Sequence, residues 1–192
     1  MTAELFHRLC RRIALVESPA RRLRKLALRL RGARIGHGTQ MPRVLMTWPH
    51  QIQLGRGCVL QPDIFFNYSH YWMPGPSMFF GDRVFIGRGC EFNIRERLEV
   101  GDDCLIASGC TFVDTNHSHG HGMSMNAQPL ESAAITLGRN VWLGARCVVL
   151  KGVHIGDGAI IGAGSVLTKS VPAGETWAGV PARRIKSSTT NA

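Results

Sequence analysis

In the second half of the chain an aliphatic side chain returns every sixth residue: Leu137, Leu143, Val149, Ile155, Ile161 and Leu167. Glycine follows at once in Gly138, Gly144, Gly156 and Gly162. Four positions after each aliphatic stands a small or β-branched residue: Val141, Cys147, Val153, Ala159, Ser165 and Val171. The same register runs earlier through Ile35, Met41, Leu54, Leu60, Phe80, Ile86, Phe92, Val100, Ile106 and Phe112, with a slip of two residues between Phe92 and Val100. A period of six is neither the helical period nor that of a hairpin. It predicts short strands joined by tight turns, each strand pointing one aliphatic side chain inward. Three such units make a coil of about 18 residues, whose inner face is buried only when further coils stack on it. The expected class is therefore an all-β solenoid. The glycine after each aliphatic is expected at a turn position with positive φ.

Two stretches break the period. Residues 118–134 (SHGHGMSMNAQPLESAA) read as an extruded loop, and residues of about 61–79 (QPDIFFNYSHYWMPGPSMF) as a second, aromatic-rich one. Long loops on a regular scaffold either carry function or pack on their own coil. Ahead of the repeat, residues 1–34 form an arm of two amphipathic helices. Leu5, Leu9, Ile13 and Val16 mark the first. Ser18-Pro19 then reads as an N-cap and first helical position, followed by the stripe Leu23, Leu26, Ala27 and Leu30. Residues 35–186 hold the repeat, and 187–192 are expected to form a flexible tail.

The net charge of +10 belongs to the arm. Ten Lys/Arg face Glu4 and Glu17 in residues 1–34, whereas the remaining residues carry thirteen Lys/Arg against eleven acids. This asymmetry argues against a nucleic-acid partner for the body of the chain, and no aromatic platform accompanies the arm's charge. The arm suits either a cap on the open end of the solenoid or contact with an anionic membrane. No apolar run is long enough to span a bilayer, and Arg8, Arg11 and Arg12 interrupt any signal-peptide core. The expected location is cytoplasmic, with the inner face of the membrane open through the arm. Of six cysteines, Cys58, Cys90, Cys104, Cys110 and Cys147 fall on the "four after" positions, and no Cys-x-x-Cys pair occurs, so they read as small interior hydrophobes.

His117 stands where repeat meets loop. An alcohol is a poor nucleophile while protonated, and an imidazole is the side chain best suited to accept its proton near neutral pH. Asp114, three residues earlier, is a candidate to orient that ring. His119 and His121 alternate with His117 and raise the question of a metal, but their place in a Gly-rich loop without Cys ligands argues against one.

The run LGRNVWLGARCVVLKGVHIGDGAIIGAGSVLTKSVPAGETWAGVPARRIK (137–186) resembles the hexapeptide-repeat acyltransferases, in particular the bacterial sugar O-acetyltransferases of the galactoside and maltose type. The resemblance extends over about residues 35–186. It implies a left-handed parallel β-helix, against the usual handedness of crossovers, and a homotrimer. It implies acetyl-CoA as donor, a sugar or glycan acceptor, and no metal. By the same resemblance His117 in DTNH is the catalytic base, and Asn93 with Asp114 belongs to the acceptor side. Trp142 in NVWLG walls the acyl site, and the Ala145 amide serves the oxyanion. Ala145 and Ala163 would line the pantetheine arm, and Thr168, Lys169, Arg183 and Lys186 the nucleotide end. An amide that donates and accepts suits sugar hydroxyls, and Arg suits phosphates. Rivals are N-acetylation of an amino sugar, a non-catalytic scaffold and a metal-dependent lyase or hydratase.

Overall fold

The computed structural model describes residues 18–119 and 122–186. The first predicted helix, His121 and the 187–192 tail lie outside the described residues.

The repeat folds into three parallel sheets that the chain visits in turn. The first sheet takes Arg34–Ile35, Ile52–Leu54, Met78–Phe80, Leu98–Val100, Ile135–Leu137 and His154–Ile155; the second runs from Val59–Leu60 to Thr176–Gly179; the third runs from Leu45–Met46 to Val166–Leu167. Each circuit therefore lays one short strand on each sheet, directly over the strand of the circuit before. The period-six residues stack in register: Ile35, Leu54, Phe80, Val100, Leu137 and Ile155 form one inward column, and Leu60, Ile86, Ile106, Leu143 and Ile161 another. The third column is aromatic. Phe66, Phe92 and Phe112 stack with ring centroids 5.0 and 4.9 Å apart, and Phe80 meets Phe92 edge-on at 5.2 Å. All four rings are buried.

We call the turns from first to second sheet, second to third, and third to first the first, second and third corners. The glycine after each aliphatic sits at the first or second corner. Its reason differs from the expected one. These glycines have ordinary φ, and what they lack is room. A Cβ on Gly144 would lie 2.5 Å from the Ala163 nitrogen, and one on Gly101 would lie 2.5 Å from the Gly138 oxygen. Positive φ falls two residues later, on Gly164 or on Asp103, Asn140 and Arg146. Asn and Asp tolerate that conformation better than other side chains.

The five cysteines of the repeat are free and buried. Each thiol donates to a corner carbonyl of the next circuit, as from Cys104 to Gly138 at 3.0 Å and from Cys110 to Gly144 at 3.2 Å. Burial pushes the Cys104 thiol up to about 11.

Helix α1 (Pro19–Leu30) lies across the start of the stack. Ser18 caps it by accepting from the Arg21 N–H, as the Ser-Pro pair predicts. Lys25 Nζ donates to the Thr39 carbonyl at 3.0 Å, and Arg29 Nη2 to that of Ile35 at 2.7 Å, while Leu28 packs on the core. The helix thus satisfies carbonyls that the first circuit would otherwise leave open.

The excursions gather at the third corner. The span of about 61–79 assigned to a loop contains strand Phe65–Tyr68, with Ile64 and Phe66 fully buried, and the chain leaves the sheets only over 69–77. That shorter loop is tied to the preceding circuit. Gln51 Nε2 donates to the Met73 carbonyl at 2.6 Å, and Ser77 Oγ to Gln51 Oε1 at 2.8 Å. The second excursion opens with an antiparallel pair, Thr115–His117 against Leu130–Ser132.

The aromatic column fills the centre of three successive circuits with large, fully buried rings, so truncating its middle member is costly. Phe92→Ala is expected to lower unfolding free energy by about 3–5 kcal/mol in urea denaturation; a loss under about 1 kcal/mol would show that the column collapses onto the gap.

Candidate active site

The two-residue slip in the repeat and the hairpin that carries His117 have one cause. Strand Glu91–Ile94 is followed by a wide corner, Arg95–Glu96–Arg97, whose three N–H groups would point at no strand. Asp114 takes all three. Its Oδ1 accepts from Arg95 at 2.8 Å, and its Oδ2 from Glu96 at 2.7 Å and Arg97 at 3.1 Å. Thr115 Oγ1 adds a fourth bond at 2.9 Å. The Asp114 side chain is fully buried, and these donors satisfy its oxygens. Its oxygens are occupied there and not on the His117 ring. The expectation that Asp114 orients the imidazole or meets substrate gives way to an anchoring role at the base of the hairpin.

From that anchor the hairpin runs outward. Thr115 pairs with Ser132, their hydroxyls 3.2 Å apart, and His117 pairs with Leu130. Lys151 Nζ, one circuit on, lies 2.8 Å from Glu131 Oε2 and holds that carboxyl below its ordinary range. Strand alternation places His117 on the same side as Thr115. The His117 side chain is exposed, and among the described residues none hydrogen-bonds its ring. His119 turns back, its Nδ1 3.2 Å from the His117 carbonyl oxygen. Among the described residues no group of three or more His, Cys, Asp or Glu is arranged to hold a metal ion.

At the foot of the hairpin is a cavity of about 400 Å³ between the two excursions. Its polar walls are His70, Ser77, Arg95, Glu96 and Ser132. His70 Nδ1 is buried without a partner among the described residues. A hydroxyl-rich ligand would supply one. His117 lies two residues beyond Ser132's partner, about 7 Å along the strand. Asn93 faces outward from the third sheet, and Asn67 Nδ2 donates to its Oδ1 at 3.1 Å. Asn67, His70, Arg95 and Glu96 were not singled out in the sequence. The repeated Phe-Asn pair, Phe66-Asn67 and Phe92-Asn93, is the signal for the first; assigning 61–79 to a loop hid it.

The remaining site residues cluster elsewhere. Ala145 and Ala163 stack at the second corner, where the Gly164 N–H donates to the Ala145 carbonyl at 2.8 Å. Among the described residues the Ala145 and Ala163 N–H groups donate to no carbonyl, which leaves them open to a ligand. Gly162 abuts Ala178, and Arg183 pairs with Ala178 on the closing antiparallel strand, so Arg183 extends the same edge. Trp142, half exposed, faces outward on the second sheet between Leu105 and Ile160. Thr168 and Lys169 are exposed and stand at the third corner, two circuits beyond the hairpin. The backbone of Lys186 pairs with Thr176; its side chain lies outside the described residues.

Two half-sites result. One, at the third corner, holds His117, the cavity and Lys169. The other, at the second corner, holds Ala145, Ala163 and Arg183, with Trp142 beside it. Within one chain the third sheet separates them: Ala145 precedes strand Val148–Leu150, and Leu150 lies in register with Val113 just before Asp114. That span is about 16 Å of extended chain.

The family model for "Bacterial transferase hexapeptide (six repeats)" matches residues 134–169. The protein WbbJ of Escherichia coli (strain K12), described as an O-acetyl transferase of lipopolysaccharide biosynthesis, is 40% identical over 147 residues, covering 67% of this chain and 75% of that protein. The galactoside O-acetyltransferase of the same strain is 34% identical over 139 residues, covering 69% of this chain. The match spans only 62% of that enzyme's length. Among solved structures, a variant of the N-acyltransferase AntD from Bacillus cereus with dTDP and coenzyme A superposes with a TM-score of 0.73 at 19% identity, covering 89% of this chain and 90% of that one. A galactoside acetyltransferase with coenzyme A superposes with a TM-score of 0.58 at 24% identity, covering 98% and 84%. These structural likenesses concern the fold. The stacked hexads, the matching family model and the relative covered over three quarters of its length lead to one assignment: the chain belongs to the hexapeptide-repeat family of acetyltransferases.

Proposed function

We propose that the protein transfers an acetyl group from acetyl-CoA to a hydroxyl of a sugar in a surface polysaccharide or its precursor. We propose further that it works as a homotrimer of left-handed β-helices. The observation that carries the reading is His117, an exposed imidazole on an anchored hairpin beside a polar cavity. The named O-acetyl transferases among its relatives support the hydroxyl acceptor.

The reaction follows from the half-sites. The acceptor sugar sits in the third-corner cavity, and its hydroxyl donates its proton to the His117 imidazole as the oxygen attacks the thioester carbonyl carbon. The Ala145 N–H meets the oxyanion that forms. The C–S bond then breaks, and coenzyme A leaves as a thiolate that takes the proton back from the imidazolium. Transfer is direct. The five repeat cysteines are buried with their thiols turned to carbonyls, so none is placed to carry the acetyl group. Ala145 and Ala163 lie against the pantetheine arm, where a larger side chain would keep the backbone away. Arg183 and Lys186 from one side, and Thr168 and Lys169 from the other, meet the nucleotide. The location proposed is cytoplasmic, the compartment that supplies the thioester.

The separation of the half-sites supports the trimer. A three-fold assembly sets the third corner of one subunit against the second corner of the next, and His117 then faces Ala145 across the cleft. The outer face of the second sheet supports this reading. Leu105, Trp142 and Ile160 form an exposed apolar ladder there, at 43, 50 and 37% exposure.

Two experiments test the proposal. Acetyl-CoA at about 100 times its dissociation constant should stabilise the folded protein by about 2.7 kcal/mol. The shift in thermal unfolding should shrink in Arg183→Ala/Lys186→Ala. No shift at millimolar donor would remove the donor site from this chain. In the second, His117→Ala should lower kcat by about 10²–10⁴-fold at unchanged melting temperature. Asp114→Ala should instead lower the melting temperature, because three N–H groups lose their acceptor. Unchanged kcat in His117→Ala would assign the base elsewhere.

A further inference from the structure

Helix α1 closes the first circuit, yet three of its four leucines face away from the stack. Leu23, Leu26 and Leu30 share one face at helical spacing and are 68, 51 and 81% exposed. The opposite face meets the stack: Lys25 is 8% exposed, Leu28 packs on the core, and Lys25 with Arg29 makes the bonds to the first circuit. The apolar stripe therefore points away from the stack. At 100° per residue, Arg22 and Arg31 border it on opposite sides, and both are exposed. Next to Arg22 a cavity of about 440 Å³ is lined by Arg22, Lys25, Arg29 and His37 among others, with no acidic residue in its wall.

We propose that α1 seats the protein on an anionic lipid surface. The three leucines enter the boundary between headgroups and acyl chains. Arg22 and Arg31 meet lipid phosphates at that depth, and the basic cavity offers a place for a headgroup phosphate. The 12-residue helix is too short to cross, and no described helix is long and apolar enough to do so, so the contact lies in the plane of the interface. Charge selects this occupant over the two others at hand. Residues 1–17 contain Arg8, Arg11 and Arg12 against Glu4 and Glu17, so folding them over the stripe would bring like charges onto Arg22 and Arg31. A second copy of the helix would do the same more strongly. An anionic bilayer satisfies both the leucines and the arginines. The inference rests on the helix and holds whatever the acceptor is.

Flotation of the full-length protein with vesicles tests it. Wild type should bind phosphatidylcholine–phosphatidylglycerol vesicles, not phosphatidylcholine alone, and binding should weaken as salt rises. Leu23→Ser/Leu26→Ser/Leu30→Ser should lower vesicle affinity at least about ten-fold, with the melting temperature and the acetyl-CoA shift unchanged. Equal binding by wild type and the triple variant would overturn the proposal, as would no binding at low salt or equal binding to neutral vesicles. A fall in melting temperature or in oligomer size in the triple variant would overturn it too, by showing the stripe already covered by residues 1–17 or by another subunit.

Discussion

Everything in this protein depends on how closely one circuit of backbone can lie on the next. Parallel strands demand a spacing of about 4.8 Å, and the corners must keep it as well as the strands. At Gly101 on the first corner and Gly144 on the second, that leaves no space for a Cβ. Inward positions must stack like on like, which the Phe66–Phe92–Phe112 column does with aromatic rings and the second sheet with branched aliphatics. Thiols fit the same rule: each is small enough for the interior and gives its hydrogen to a carbonyl one circuit away. The body of the stack is then too tight to hold a ligand.

The spacing rule is relaxed at one corner, and the polar cavity forms there. The 69–77 loop, the wide turn at 95–97 and the 114–134 excursion all leave the stack at the third corner. Asp114 is the joint between two of them. One buried carboxylate closes a turn in the circuit below and opens the hairpin that presents His117. The cavity between the excursions is a consequence of that joint, and its polar walls come from both.

The repeat was legible because its cause is periodic: a residue that must stack does so every six positions, and the inward columns fall on Leu137, Leu143 and Val149 and their counterparts. The physical reason for the glycines was not legible, because close approach and positive φ select the same residue. The structure assigns them to different positions two apart. The slip after Phe92 was visible as an irregularity, but its cause was not, since Asp114 is about twenty residues away and acts through backbone N–H groups. Likewise, an amphipathic stripe does not say which face is inward. In α1 the open carbonyls of the first circuit attract Lys25 and Arg29, and that choice turns Leu23, Leu26 and Leu30 out. Among the candidate residues, His117 stands at the break in the repeat and Ala145 and Ala163 on its period, so their positions could be read from sequence, whereas His70, Arg95 and Glu96 meet only through the loops.

The separation of the two half-sites by the third sheet supports the central proposal, an active site shared between neighbouring subunits. Complementation tests it most directly. His117→Ala and Ala145→Trp, one inactivating the hairpin and the other the donor edge, are each prepared as inactive trimers, then unfolded, mixed in equal amounts and refolded together. In random mixed trimers roughly a quarter of the clefts pair an intact hairpin with an intact donor edge, so the account predicts recovery of roughly a quarter of wild-type activity. Mixed trimers as inactive as their parents would contradict it, and would place His117 and Ala145 in a site completed within one chain.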